Sequence, residues 1–368
     1  MGDGDARRSL LIFHPAGVFF ALAAVTAIAL PWLWLLPLED TRLAHIRLGI
    51  FGFGGLAVSG YLLIAQKAWI GRDAPAPVPA LALGVLALGA RVAALYAPKS
   101  IWPVLLPSLT IALVILWPVL RARRWDKVPL AMVPLALTVV EAALVDLRVQ
   151  PAMLSIGMAA LILVVGGRAV PAFLTEDRRR RGLMRQQPPM FWPGPAMLAA
   201  GLVLEGLAGA IALAGVALWV VHRVRNGLWA GRANQMLCLG YAGLVPGLLT
   251  IAAERTSLMP PLVAVHLLTM GAMGPMILAV AARVAMQRST GAELLPCRRH
   301  WGALCLIFVA TAARGVAELT PQPAPWIITA GVGWSAAWTL FLSAHLPALA
   351  QPAPFPLLSA ARLPQPVS

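Results

Sequence analysis

The sequence predicts an all-α, polytopic transmembrane helical bundle. Apolar runs of about twenty residues recur along the whole chain, and an α-helix needs roughly that length to cross a hydrocarbon core about 30 Å thick. Hydrophobic residues make up 60% of the chain and charged residues only 12%, which is about half of the charged share in soluble domains. The charges lie mostly between the apolar runs, as expected when lipid surrounds the helices.

Ten runs are long enough for one crossing each. In chain order they are Pro15–Leu38, His45–Ala65, Val78–Ala97, Ile101–Leu120, Val128–Leu147, Met153–Leu174, Ala233–Ala253, Pro261–Ala285, Trp301–Glu318 and Ala324–Leu349. The first run exceeds the apolar segment of a signal peptide, about 7–15 residues, and therefore predicts an uncleaved anchor. The longest predicted loops, Thr175–Met190 and Gln287–His300, are too short to fold alone. Residues 1–368 are thus predicted to form a single integral membrane domain, with no separate soluble domain.

The segment 192–221 is long for one helix and short for two. The basic residues favour two. Over the first six runs, thirteen Lys and Arg residues lie on one side and three on the other, and cytoplasmic segments carry that excess. A pair of helices turning near Glu205 and Gly206 keeps the later Arg residues on the same side. The sequence therefore predicts about twelve spans, or eleven if 192–221 is one helix, with both termini cytoplasmic.

The net charge of +15 raises the question of nucleic-acid binding. The basic residues lie in segments between apolar runs and are not interleaved with the aromatic residues of a strand-binding groove. The pattern favours the lipid bilayer as the partner, with anionic headgroups as counter-charge, and it argues against nucleic acid.

Two histidines fall inside runs that cross in the same direction. His45 begins the second run, and His266 is the sixth residue of Pro261–Ala285. At about 1.5 Å per residue, both are expected in the outer third of the bilayer. Two imidazoles at one level on different helices are able to clamp a haem iron or bind copper. The alternative is that each imidazole is satisfied by an ordinary polar neighbour.

Two methionines follow His266 on the same predicted helix. Met270 and Met273 lie at i+4 and i+7, which places all three side chains on one face of a regular α-helix. Imidazole with thioether suits Cu(I), and Met also serves as an axial haem ligand. Met also fills gaps between membrane helices, so core packing is the alternative interpretation.

Several charges fall within the apolar runs, among them Arg47, Arg91, Glu141 and Asp146. An unpaired charge in a bilayer costs several kcal/mol, so ion pairing is the simplest expectation. The alternative function is a cofactor-free transporter or permease, in which these residues line a pathway for a small anionic solute. No nucleotide-binding, zinc-protease or serine-hydrolase motif is present in the sequence.

The segment His266–Arg283, H-L-L-T-M-G-A-M-G-P-M-I-L-A-V-A-A-R, resembles the signature of the NnrS family, polytopic membrane proteins linked to the bacterial nitric oxide response. Further segments are similar to that family in the expected order. They are Phe51–Phe53 (F-G-F), Gly60–Leu63 (G-Y-L-L), Ala68–Arg72 (A-W-I-G-R), Gly166–Phe173 (G-G-R-A-V-P-A-F) and Leu237–Tyr241 (L-C-L-G-Y).

This resemblance implies a protein of the bacterial cytoplasmic (inner) membrane that holds haem and copper and takes nitric oxide or another small neutral gas as ligand. It makes His45 and His266 the expected haem ligands. Arg47, Cys238 and the segment Gln287–Gly291 stand where the family carries histidines, so copper would have to be held by Met270, Met273 or Cys238.

Overall fold

The computed structural model describes residues 15–71, 77–146, 149–183, 190–288 and 293–349. Nearly all of these residues are helical, which confirms the all-α prediction. Twelve helices of eleven residues or more follow one another in the described segments: α1 Pro15–Ala29, α2 Thr41–Ile70, α3 Pro77–Tyr96, α4 Trp102–Arg121, α5 Val133–Val145, α6 Pro151–Arg180, α7 Pro193–Val203, α8 Gly206–Val224, α9 Arg232–Glu254, α10 Pro261–Ala285, α11 Arg298–Ala317 and α12 Ala324–Ala348.

Ten of these helices, counting α1 with the turn that follows it, are long and apolar enough to cross a membrane, whereas α5 and α7 are shorter. Proline explains two of the interruptions. A 3₁₀ turn, Leu30–Leu35, extends α1 and has a proline in its first turn. The run predicted at Val128–Leu147 is divided into a short helix, Val128–Ala131, and α5, with Pro134 at the start of α5. Proline has no N–H to continue the hydrogen-bond ladder.

The prediction of a loop at Thr175–Met190 is wrong for its first part, because α6 continues to Arg180. Glu176 pairs with Arg179 at 2.7 Å and with Arg180 at 2.9 Å. Such pairs three and four residues apart support a helix, and Arg at a helix C-terminus is favoured by the helix dipole. The other predicted loop, Gln287–His300, contains the two-stranded antiparallel ladder of β1 (Gln287–Arg288) and β2 (Leu294–Leu295).

Residues 192–221 form a helical pair, as the basic residues predicted. α7 and α8 pack along each other and are joined at Leu204 and Glu205, whose backbones are extended. Gly206 follows with a φ of +55°, a conformation that glycine adopts without strain. A Cβ at Gly209 would overlap the carbonyl oxygen of Leu204. The close turn therefore depends on these glycines.

Hydrogen bonds between turns identify the two ends of the bundle. At one end, Asp177 at the end of α6 accepts from the backbone N–H of Gly231 at 3.3 Å, and Glu293 accepts from the N–H of Arg232 at 3.1 Å. We call this the basic end. At the opposite end, Arg255 donates to the carbonyl of Leu202 at 3.2 Å. The α7–α8 pair therefore leaves the basic end and returns to it, and the alternative of one helix over 192–221 is wrong. The two termini, predicted to be cytoplasmic, lie outside the described residues.

The centre of the bundle is an aromatic cluster between α2 and α12. Phe53 packs edge-on against Trp334 and Trp338, with ring centroids 5.8 and 4.9 Å apart, and Phe341 continues the stack. Trp334 donates its indole N–H to the carbonyl of Ala27 on α1 at 2.9 Å. Aromatic packing and a satisfied indole are stabilising here, and they fix α2 relative to α1 and α12.

Candidate functional site

Both predicted histidines lie just before a π-helical segment. In α2 the π segment is Arg47–Gly54, two residues after His45, and in α10 it is Thr269–Met273, three residues after His266. π turns are rare and are frequent at functional sites. The two segments touch, because a side chain at Gly54 would begin 3.3 Å from Met273 Sδ.

The two histidines lie at one level of the bundle. The start of α1 lies beside the later parts of both helices, since Gly60 of α2 lies against Ala16 O and Gly17 lies against Val284 of α10. α2 and α10 therefore run in the same direction. His45 precedes Gly54, the α2 residue at the contact between the π segments, by nine residues, and His266 precedes Met273 of α10 by seven. This difference of two residues corresponds to a difference in height of about 3 Å. The imidazole of His266 is within electrostatic range of His45.

In each imidazole, one ring nitrogen makes a hydrogen bond to a described residue and the other makes none. His45 Nδ1 lies 3.3 Å from the carbonyl oxygen of Leu30, and His266 Nδ1 lies 3.0 Å from the carbonyl oxygen of Leu262. A carbonyl only accepts, so both Nδ1 atoms carry the hydrogen and both Nε2 atoms keep the lone pair. Within the described segments neither Nε2 has a hydrogen-bond partner. Both histidines are half-buried, and Trp34 packs at a tilt on His45 with centroids 5.8 Å apart.

A charged pair on α11 lies beside the histidines. Gly315 lies against Leu267 of α10, which brings the adjacent Arg314 to the level of His266. Both His45 and His266 are within electrostatic range of Arg314. Arg314 pairs with Glu318 one turn further along α11. Arg314 and its carboxylate partner Glu318 therefore lie at the level of His266.

The three sulfur residues expected as copper ligands lie deeper in the bundle. Met273 is 3% exposed and packs against the backbone of Gly54. Met270 is half-buried and lies in the π segment, where the wider turn breaks the regular spacing on which the shared face was predicted. Gly240 of α9 lies against Met276, which puts Cys238 roughly 15 Å along the bundle from His266.

The buried charges form a triad that joins three helices. Glu141 of α5 is fully buried, and its Oε1 accepts from Arg47 Nε of α2 at 3.0 Å and from Arg91 Nη1 of α3 at 2.5 Å. Arg47 Nη1 also donates to the carbonyl of Pro98 at 2.7 Å. These contacts match the simple expectation of ion pairing. Three of the four charges that the transporter alternative would need, Arg47, Arg91 and Glu141, are therefore engaged with one another.

The donor set decides which cofactor fits. No group of three or more His, Cys, Asp or Glu residues able to hold a metal ion is present in the part of the chain that the structure describes. A protein-bound copper or zinc centre needs three or four ligands. Haem brings four nitrogen ligands of its own, so two imidazoles with free Nε2 atoms suffice. A haem would therefore need fewer ligands from the protein than a copper ion.

Sequence reasoning predicted the shared level of His45 and His266 but not the residues that surround them. Run lengths and an α-helical rise were enough to put His45 and His266 at one level. The π segments have no comparable signal in the sequence, apart from the glycines at 49, 52, 54, 271 and 274. The proximity of Arg314 depends on the register between α10 and α11, which a single sequence does not give.

The comparison with known proteins agrees with the fold and with the signature segment of α10. The model of the NnrS protein family matches residues 14–353, which is most of the chain and includes both histidines. No curated protein matches the chain. The match covers the helical bundle from its first helix to its last, and the chain therefore belongs to the NnrS family.

Proposed function

We propose that this chain is a haem-binding membrane protein of the nitric oxide response, with His45 and His266 as the haem ligands. The observation that carries the proposal is the pair of half-buried imidazoles at one level, each with Nδ1–H on a backbone carbonyl and Nε2 unbonded. Metal-ligating histidines almost always make that second hydrogen bond, which fixes the ring and raises its basicity. Membership of the NnrS family supports the physiological setting.

The chain's own residues have definite roles in such a site. The carbonyls of Leu30 and Leu262 hold the two tautomers, and the surrounding apolar helices exclude water. Arg314 and Glu318 place a neutral ion pair at the level of His266. A bound haem iron would supply the centre to which nitric oxide coordinates once it has displaced one of the two imidazoles. Copper remains the weaker proposal, because Met270 and Met273 would have to leave their packed positions to complete its ligand set.

The direct test is the optical spectrum of the full-length protein purified in detergent from cells supplied with haem. The wild type is expected to show a Soret band with close to one haem per chain, and the reduced protein is expected to change its spectrum when nitric oxide is added. His45→Ala and His266→Ala should each lose most of the bound haem, since one of the two proposed ligand side chains is removed.

His222→Ala is the matched control, because His222 is an exposed histidine at the end of α8 and should leave haem content unchanged. Size-exclusion profiles of all variants separate loss of haem from loss of folding. Wild-type protein without a Soret band and without iron would exclude the proposal. If the protein instead binds copper and no haem, and if Met270→Ala and Met273→Ala abolish that binding, the copper proposal replaces the haem proposal.

A further inference from the structure

A second polar site lies at the basic end, far from the paired histidines. A partly open cavity of 220 Å³ lies between the end of α6 and the turn that joins α8 to α9. Its polar walls are Asp177, Arg178, Arg181 and Asn226, and Trp229 adds an aromatic wall. The volume is several times the ~30 Å³ that one water molecule occupies in the liquid, so the cavity has room for a small polar group.

Most of the charges at the end of α6 are paired with one another. Glu176 accepts from Arg179 and Arg180 at 2.7 and 2.9 Å. Asp177 pairs with Arg181 Nε at 3.1 Å and also accepts from a backbone N–H of the facing turn. Both carboxylates are therefore neutralised within the helix end, and neither presents an uncompensated negative charge to the cavity.

Arg178 differs from its neighbours. It is half-buried, its Nε is buried, and that atom has no hydrogen-bond partner among the described residues. A buried charged donor without a partner costs more than a lost neutral hydrogen bond. Because Arg178 lines the cavity, its guanidinium borders a partly open space in which an anion would accept its hydrogen bonds.

We propose that this cavity binds a phosphate group, carried by an anionic phospholipid headgroup or present as free inorganic phosphate. Arginine recognises phosphate through forked, charge-assisted hydrogen bonds, and Arg178 lines the cavity, whereas Arg181 is already paired with Asp177. Basic pockets between helices at the membrane surface suit lipid headgroups. Trp229 is 81% exposed, as expected of an aromatic ring at the lipid–water interface. The site does not depend on the haem proposal.

The test compares lipid compositions and two substitutions at neighbouring arginines, Arg178 and Arg179. Full-length protein is placed in nanodiscs of phosphatidylcholine alone or with phosphatidylglycerol or cardiolipin, and bound lipid is counted by native mass spectrometry after gentle extraction. Anionic lipid should be retained and should raise the unfolding temperature. Arg178→Gln should weaken that binding about ten-fold, as expected for one lost charge-assisted contact. Arg179→Gln removes the same charge from a residue paired with Glu176 and outside the cavity, and should leave binding intact.

A titration with inorganic phosphate in phosphatidylcholine nanodiscs distinguishes the two sources. Stabilisation by phosphate alone assigns the site to the free anion, and stabilisation by anionic lipid alone assigns it to a headgroup. A wild type that responds to neither overturns the proposal, as does equal weakening by the two variants, which would show general surface attraction. If Arg178→Gln does not fold, Arg178→Lys keeps the charge without the fork and is expected to bind several-fold more weakly, while the wild-type arms remain decisive.

Discussion

Glu141 is the one carboxylate that compensates the charges of two buried arginines in the described part of the bundle. Its carboxylate accepts from Arg47 and Arg91, and these three side chains are 0%, 2% and 9% exposed. Attraction between buried charges offsets their desolvation only while the geometry is complete. Removal of one partner leaves the other charges buried without compensation. The three side chains therefore fix the relative positions of α2, α3 and α5 just after His45.

Glu141→Gln is expected to destabilise the protein by about 3–5 kcal/mol, because two buried guanidinium groups would lose their counter-charge. The matched control is Glu39→Gln, which removes a carboxylate from an exposed pair with Lys99 at 2.7 Å. An exposed pair contributes about 0–1 kcal/mol. Thermal unfolding of the purified variants in one detergent measures both changes. Equal, small shifts in the two variants would show that the triad carries no such cost.

Single residues also show where sequence reasoning ends. The presence of Arg47, Arg91 and Glu141 inside apolar runs predicted that they would pair, since unpaired charges in lipid are costly. Their partners were not predictable individually, because the choice depends on which helices are neighbours. For the same reason the sequence predicted the depth of His45 and His266 in the membrane, but it did not predict that the carbonyls of Leu30 and Leu262 orient them.

At the scale of helices, the contact between α9 and α10 supports the candidate site. A Cβ at Gly243 would overlap the carbonyl oxygen of Gly271, and Gly247 lies against Leu268. Small residues let membrane helices approach to backbone contact, where dispersion forces replace the hydrophobic effect. Gly271 belongs to the π segment that follows His266. The close approach of α9 therefore helps to hold that segment in place.

Gly243→Ala is expected to lower stability by about 1–3 kcal/mol, since the added methyl group must push α9 away from the α10 backbone. Gly157→Ala is the control, because Gly157 is a helical glycine of α6 with open space around its Cα, where alanine is expected to be neutral or stabilising by up to about 1 kcal/mol. The difference between their unfolding temperatures measures the contact. A Gly243→Ala protein as stable as Gly157→Ala would mean that α9 and α10 are not in close contact in the membrane.

The helix boundaries also separate the features that the sequence predicts from the features that packing between helices determines. Run length predicted Pro261–Ala285 residue for residue and α12 to within one residue, because lipid imposes a length on each crossing. The π segments, the single non-helical residue Gly243 that interrupts α9 between Ala242 and Leu244, and the helical extension of α6 to Arg180 depend on contacts with other helices or on local ion pairs. The apolar pattern does not contain them.

For the whole molecule, the positions of the turns determine the number of crossings. The end of α6, the α8–α9 turn and Glu293 meet at the basic end, and the histidines lie toward the other end. Two of the twelve helices, α5 and α7, have only 13 and 11 residues, so the bilayer must thin locally or the helices must be shielded by their neighbours. The excess of basic residues predicts that the basic end faces the cytoplasm.

Cysteine labelling from one side of the membrane tests this arrangement. In a background with Cys238, Cys297 and Cys305 replaced by serine, Trp229→Cys at the basic end and Ser257→Cys in the α9–α10 turn at the opposite end are exposed to a membrane-impermeant maleimide. In intact cells Ser257→Cys should react and Trp229→Cys should not, while both should react after the membrane is permeabilised. The reverse pattern would place the histidine pair toward the cytoplasm. Reaction of both in intact cells would mean that α9 does not cross the membrane, and the shared level of His45 and His266 would then lose its basis.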